Sequence, residues 1–382
     1  ERRRASREPS TGPSSIPCAP CFKPPALSPL AWRCCNPPMC PSDPLATPSE
    51  RRRFALLRSL LFARWIPAGV RRRVARRAAR WVAVEHGATD PLAFSGRLAG
   101  HVYEGTLRSH LDAAVYFHGA FEKPLACFLQ DAARALRAEG RFSPANGGLH
   151  FWDVGANVGQ HSLVVAAHVD TVEAFEPFDE VADRFEAHVA RNGLQNIRLH
   201  RLALGERSER RSLITPTTGN RGTAALAEDA RSPAPGAPGL EVEVRSGDEV
   251  AAELMALGRR GVVGLVKIDV EGWERQVLAG LRGTLQAARP VVVTEVSYSG
   301  PHAFRSQHEF MEAFPPDYRL FRFDTRKADG SKARRQQARE RRTGAYRLRP
   351  FTDWLTGSQD DLVACPLELV DRLPLAGSGL GE

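Results

Sequence analysis

The chain has 382 residues, 42% of them hydrophobic, with a mean hydropathy of −0.32 and a formal net charge of +9. That composition is globular, the length admits two domains or one decorated domain, and no run of about 18 apolar residues suggests a transmembrane helix. The basic excess sits in the N-terminal part and one late segment, so it says little about the chemistry of the middle of the chain.

Residues 1–49 are rich in Pro, Ser, Arg and Cys, lack apolar periodicity and read as disordered. Five of the seven cysteines crowd there. Cys18-Ala-Pro-Cys21 has zinc-knuckle spacing, but no second Cys pair or His pair completes a metal site. Isolated Cys127 and Cys365 fit a reducing cytoplasm better than a disulfide scaffold. Residues 51–82 alternate arginine with Leu, Phe, Trp and Ala, and read as two basic helices broken at Pro67-Ala68-Gly69. Such a pair serves either as a cap with a solvated basic face or as a weak contact to an anionic surface.

Short strands are expected at Leu92–Phe94, His101–Tyr103 and Val115–Phe117, followed by a helix from Pro124 to Leu136. From Leu149 the pattern is βαβαβ. Strands are predicted at Leu149–Val154, Thr171–Phe175 and Ile197–Leu202, with helices at 158–168 and 179–192. Ala203-Leu204-Gly205 reads as a turn, 216–239 as a flexible loop and 211–215 and 240–245 as strands. A helix over 248–257, a buried strand over 262–268, an amphipathic helix over 272–285 and a strand over 291–296 follow. A helix over 308–314 and strands over 318–323 and 361–365 close the series. The alternation predicts an α/β fold, a mostly parallel sheet with helices on both faces and a helical basic N-terminal extension. The expected organisation is a disordered segment (1–49), a cap (50–118), a catalytic domain (119–370) with a basic loop inserted at 326–345, and a flexible tail (371–382).

The organising stretch is Phe151-Trp152-Asp153-Val154-Gly155-Ala156-Asn157-Val158-Gly159, a strand, an acid and a glycine turn before a helix. A dinucleotide turn needs glycine at its third position, where Asn157 stands, and this argues against NAD and FAD. S-adenosylmethionine, which has no pyrophosphate, fits better. Asp153 is expected to take its ammonium group, directly or through water, and Glu176, closing the second strand, its ribose hydroxyls. Gly155 and Gly159 remove side chains where backbone passes a ligand and where helix packs on strand.

Asp153-Val-Gly-Ala-Asn-Val-Gly159, Ala174-Phe-Glu-Pro177, Asn192-Gly-Leu194, Ala203-Leu-Gly205 and Val266-Lys-Ile-Asp-Val-Glu-Gly272 occur in that order. The set resembles the FkbM family of S-adenosylmethionine-dependent methyltransferases over about 119–300. Gly119-Ala-Phe-Glu122 is similar to the family's Gly-x-Tyr-Glu motif, with Phe121 in place of Tyr. The resemblance implies a class I methyltransferase (Rossmann-like) fold, a seven-stranded sheet with a reversed last strand, and O-methylation of sugars or natural-product scaffolds. It also implies cofactor contacts from Glu122, Asn157, Ala203 and Asp269.

Methyl transfer to oxygen is chiefly positioning, aided by a base for the hydroxyl proton. Asp269 and Glu271 follow the fourth strand where such sheets place the acceptor, and are expected as base or orienting groups, with Asp269 leading. Their structural alternative is capping the helix that begins at Gly272. His161 is a second candidate base and Glu295 a weaker acceptor-side group. The competing functions are an RNA-directed methyltransferase, favoured only by the arginine-rich segments, and a non-catalytic cofactor-binding adaptor.

Overall fold

A computed structural model describes residues 66–81, 92–214, 225–226, 240–259, 261–298, 302–325, 333–354 and 359–377, with isolated positions between 56 and 63. The expectations for 1–49, and for 216–239 apart from 225–226, fall outside the described residues. Helix α1 (Ala68–Trp81) precedes a hairpin of β1 (Ala93–Leu98) and β2 (His101–Thr106), then α2 (His110–His118) and α3 (Lys123–Arg137). The wound part begins with β3 (Leu149–Val154), α4 (Gln160–Val165), β4 (Thr171–Phe175), α5 (Asp179–Asn192) and β5 (Ile197–His200). Next come β6 (Ala203–Gly205), β7 (Glu209–Ile214), β8 (Ala225–Leu226), β9 (Leu240–Ser246) and α6 (Gly247–Ala256). The chain continues through β10 (Val262–Ile268), α7 (Glu274–Gly280), α8 (Arg282–Ala288), β11 (Val291–Ser297), α9 (Gln307–Met311) and β12 (Tyr318–Phe323). It ends with α10 (Arg334–Thr343), β13 (Tyr346–Pro350), β14 (Gln359–Pro366) and β15 (Ala376–Gly377).

Among the described residues, the main sheet runs β15-β13-β12-β14-β11-β10-β3-β4-β5. β5, β4, β3, β10 and β11 are mutually parallel, and β14 is antiparallel to both β11 and β12. Seven of these nine strands, from β5 to β12, form the class I methyltransferase order with its reversed last strand. β13 and β15 extend the edge beyond the seven expected. The sheet is buried on both faces because alternate strand residues feed two cores: Phe151, Leu265 and Val293 one, Trp152, Val266 and Val292 the other.

Several local expectations change. Val115–Phe117 lies in α2: Ser109 caps that helix by accepting from the Asp112 amide at 3.2 Å, and Gly119 ends it at φ 88. Ala203–Gly205 is a strand paired in parallel with β9, within a separate four-stranded sheet. The helix expected over 272–285 is broken at Leu281 into α7 and α8. Part of the expected basic loop is α10, a run of the strong helix formers Arg, Gln, Ala and Glu. Ala376–Gly377, expected in a flexible tail, pairs with Tyr346 and Arg347.

The β1–β2 hairpin and α2 dock on α5 through three residues at helical spacing, Arg184, His188 and Asn192. Arg184 reaches both carboxylate oxygens of fully buried Asp112 (3.1 and 2.8 Å), which also accepts from the Tyr103 hydroxyl and the Thr106 amide. His188 Nε2 meets the Glu104 backbone, and Nδ1 lies 3.0 Å from the Val158 carbonyl. Asn192 bonds both the amide and the carbonyl of Val102. The loop from Thr106 to Leu111 is thereby fixed above the C-terminal edge of the sheet.

Candidate active site

A cavity of about 640 Å³ opens at that edge, between the ends of β3 and β10, where successive strands depart in opposite directions. Gly155 lines it at φ 76, and a Cβ there would stand 1.9 Å from the Asp269 carbonyl oxygen, so the loops after β3 and β10 meet only because no side chain intervenes. Gly159, at φ 80, does not line the cavity. A Cβ on it would come within 2.1 Å of the Phe185 ring, so its task is to seat α4 against α5.

Asn157 and Glu176 line the cavity and form one unit. Glu176 Oε2 accepts from the Asn157 amide and Oε1 from the Phe178 amide, both at 2.9 Å. Asn157 sits at φ 52, its Oδ1 accepting from Val158 N at 2.8 Å. Burial pushes the Glu176 carboxyl up to about 7 against the opposing effect of its two amide donors. Ala203 and Leu204 of β6 complete this wall together with Phe175, Phe178, Leu213 and Trp273.

Lys267 was not foreseen as a site residue, although an ammonium inside the apolar run Val262–Ile268 was a visible signal. It lines the cavity, lies 3.2 Å from Asp269 Oδ2 and 3.7 Å from Asp153 Oδ1, and donates to the Gly155 carbonyl at 3.2 Å. Burial opposes its charge, but Asp269, Asp153 and Glu122 outweigh burial and raise the ammonium above its ordinary range. Asp153 is fully buried, holds the Ser162 hydroxyl at 2.7 Å and does not line the cavity. Ser162 takes one oxygen of the Asp153 carboxylate, while Oδ1 faces the Lys267 ammonium at 3.7 Å without a hydrogen bond.

Asp269 and Glu271 both line the cavity, and neither caps α7. α7 carries no side-chain cap, and Glu274 at its first turn ties down the preceding loop, its Oε1 accepting from the amides of Val270 (3.3 Å) and Gly272 (3.0 Å). Glu271 is exposed, at φ 52, and partial burial followed by Asp269 and Glu274 raises its carboxyl. His161 lines the cavity but is buried; burial and then Lys267 hold its imidazole well below the usual range, neutral and weakly basic. Glu122 departs from expectation: it borders a second cavity of about 180 Å³, shared with Glu295, Asp360, Asp361 and Gln337. Burial and then Asp361 push the Glu122 carboxyl up, and burial and then Asp269 do the same for Glu295. Among the described residues no group of three or more His, Cys, Asp or Glu is arranged to hold a metal ion.

The profile of the methyltransferase FkbM domain matches residues 153–323. Residues 153–323 are an FkbM methyltransferase domain. The hexuronic acid methyltransferase AglP of Haloferax volcanii is 30% identical over 142 residues, 37% of this chain and 54% of that protein, so the chain spans about half the length of this relative. A methyltransferase FkbM structure from Methylobacillus flagellatus is similar over 56% of this chain and 43% of its own, at 15% identity and TM-score 0.33. A SAM-dependent methyltransferase from Agrobacterium tumefaciens is similar over 75% and 73%, at 14% identity and TM-score 0.36.

The cofactor of this FkbM domain is S-adenosylmethionine, and the cavity fits it. Apolar walls at Phe175, Phe178 and Leu204 suit a base, Glu176 suits vicinal hydroxyls, and Asp269 beside Gly155 suits an ammonium. Asn157 occupies the turn position that a dinucleotide would need clear. Of the expected cofactor residues, the structure brings together Gly155, Asn157, Glu176, Ala203 and Asp269. Glu122, Asp153 and Gly159 stand outside the cavity lining.

Proposed function

We propose that this methyltransferase acts on a hydroxyl group of a sugar or another polyhydroxylated small molecule. The carrying observation is the pair Asp269 and Glu271, two carboxylates on the cavity wall, neither of which caps α7. When bound, S-adenosylmethionine supplies a methyl group already attached to a cationic sulfur. The protein's part is to hold the acceptor oxygen and take its proton. Glu271 is the base in this reading, since burial and then Asp269 and Glu274 raise its carboxyl and make its anion more basic. Asp269, ion-paired with Lys267, orients the acceptor or the amino end of the cofactor. The crowd of acids at this edge, with Glu295 and Asp361 close behind, disfavours an anionic acceptor group and favours a neutral hydroxyl. The hexuronic acid methyltransferase among the relatives supports a sugar as the scaffold.

Transfer of labelled methyl from S-adenosylmethionine to a panel of glycans and hydroxylated small molecules tests this. An alkali-stable methyl ether is the expected product. A product that is alkali-labile, as a carboxylate ester would be, or transfer to RNA alone would refute the reading.

A further inference from the structure

The loop joining α2 to α3 runs past both cavities. Phe121 lines the cofactor cavity, Glu122 borders the second cavity, and Lys123 opens α3 just beyond. α10 reaches the same place from another direction. Its Gln337 borders the second cavity, and Arg341 stands at i+4, one turn along the same face. Lys123 Nζ joins the two helices by donating to the Arg342 carbonyl at 2.8 Å. α1 adds Arg72, whose Nη1 lies 3.1 Å from Nε2 of His118, the last residue of α2. Burial, and then Arg72, Arg341, Lys123 and Arg342, hold the His118 imidazole down to about 4, so at pH 7 it is neutral and accepts from Arg72. Four cations from three helices thus converge on one uncharged ring. Among the described residues no carboxylate pairs with Arg72, Arg341 or Arg342, and the last two are exposed. Last-turn positions let Arg341 and Arg342 offset the dipole of α10, but Lys123 sits in the first turn of α3, where the dipole opposes a cation. Helix electrostatics therefore accounts for only part of the cluster.

We propose that Arg72, Lys123, Arg341 and Arg342 hold a phosphoryl group of the methyl acceptor, which makes the acceptor a glycosyl phosphate. This rests on the reading of the acceptor as a sugar hydroxyl. Guanidinium groups meet phosphate oxygens through paired, charge-assisted hydrogen bonds, and a lysine adds a point charge. Glu122 and Glu295, both within the influence of Asp269, border the second cavity beside the cluster. That acidic stretch suits the hydroxyls of a sugar ring and repels an anion. The phosphoryl group therefore belongs at the basic end, and the reacting hydroxyl at Asp269 and Glu271.

The test is calorimetry on the full chain saturated with S-adenosylhomocysteine, with glucose, glucose 1-phosphate, UDP-glucose and inorganic phosphate as probes. Inorganic phosphate and at least one glycosyl phosphate should bind, and glucose should bind more weakly than that ester by roughly tenfold or more. Preference between glucose 1-phosphate and UDP-glucose tells a free sugar phosphate from a nucleotide sugar. Arg341→Gln with Arg342→Gln should weaken the phosphorylated probes by roughly tenfold or more. The same variant should keep the melting temperature and the S-adenosylhomocysteine affinity, since neither side chain lines a cavity. The proposal is overturned if no phosphorylated probe binds, if glucose binds as tightly as its phosphate ester, or if the double variant binds phosphate unchanged. It is also overturned if single-stranded RNA displaces inorganic phosphate and neither glycosyl phosphate does. All of these readouts are binding alone. A methyl ester in the transfer assay would instead refute the sugar-hydroxyl reading, with the binding results unaltered.

Discussion

Glu176 is the group at which pH should govern cofactor affinity. Its carboxyl is pushed up to about 7 by burial, while each oxygen already accepts one backbone amide. Vicinal hydroxyls donate best to an ionised carboxylate, so binding should favour the charged form and draw the proton off. A group of ordinary value 4.5 raised to about 7 on folding holds its proton more tightly in the folded state. Its contribution to stability is therefore full below the unfolded value and lost as pH rises through the folded one, a change of about 3 kcal/mol in the ligand-free enzyme. Affinity runs the other way. Near pH 6 about a tenth of the group is ionised and near pH 8 about nine tenths, so S-adenosylhomocysteine should bind roughly tenfold more tightly at the higher pH. Calorimetry in buffers of differing ionisation enthalpy should register proton release near pH 6, and Glu176→Gln should flatten both effects while weakening binding. An unchanged affinity across that range, or the same slope in the glutamine variant, would refute the reasoning.

Glu271→Gln should lower turnover by roughly 10²–10⁴ with cofactor affinity retained, measured under saturating cofactor and acceptor. Asp269→Asn should also cost stability, seen as a lower melting temperature, because it weakens the pairing of buried Lys267. Gly159→Ala must displace the Phe185 ring and adopt a positive φ, so it should destabilise by about 1–3 kcal/mol in denaturant titrations. Asp112→Ala removes the partner of Arg184 and Tyr103 and should cost about 3 kcal/mol, with proteolysis beginning between 92 and 118.

The wound sheet was legible because its strands are short apolar runs ending in acids or glycines. β3, β4, β10 and β12 lie where the periodicity put them. Legibility failed where tertiary pairing decides. Ala203–Gly205 is too short to carry a strand pattern and becomes one by pairing with β9. Val115–Phe117 is β-favouring by composition but is overruled by the Ser109 cap. In the site, motif reading located the glycine turn, Glu176 and the Asp269–Glu271 pair. It could not show that Asp153 lies beneath the turn, with Ser162 on one oxygen and the Lys267 ammonium 3.7 Å from the other. Whether the region before β3 lies over the ligand edge or on its flank could not be decided from sequence, since it depends on contacts between residues 70–90 positions apart.

The grip of α5 on the β1–β2 hairpin bears on where this chain can be cut. A chain starting at Gly119 would keep every strand of the main sheet and the whole stretch from 153 to 323. It would nonetheless lose Asp112, strip Arg184, His188 and Asn192 of their partners, and remove Thr106 to Leu111 from the cavity wall. Each of those three α5 side chains would then face water where it now meets protein, and the helix they share follows closely on Glu176. The smallest piece expected to hold the cofactor therefore begins upstream of the hairpin, near residue 92, well before residue 153, where the family match starts.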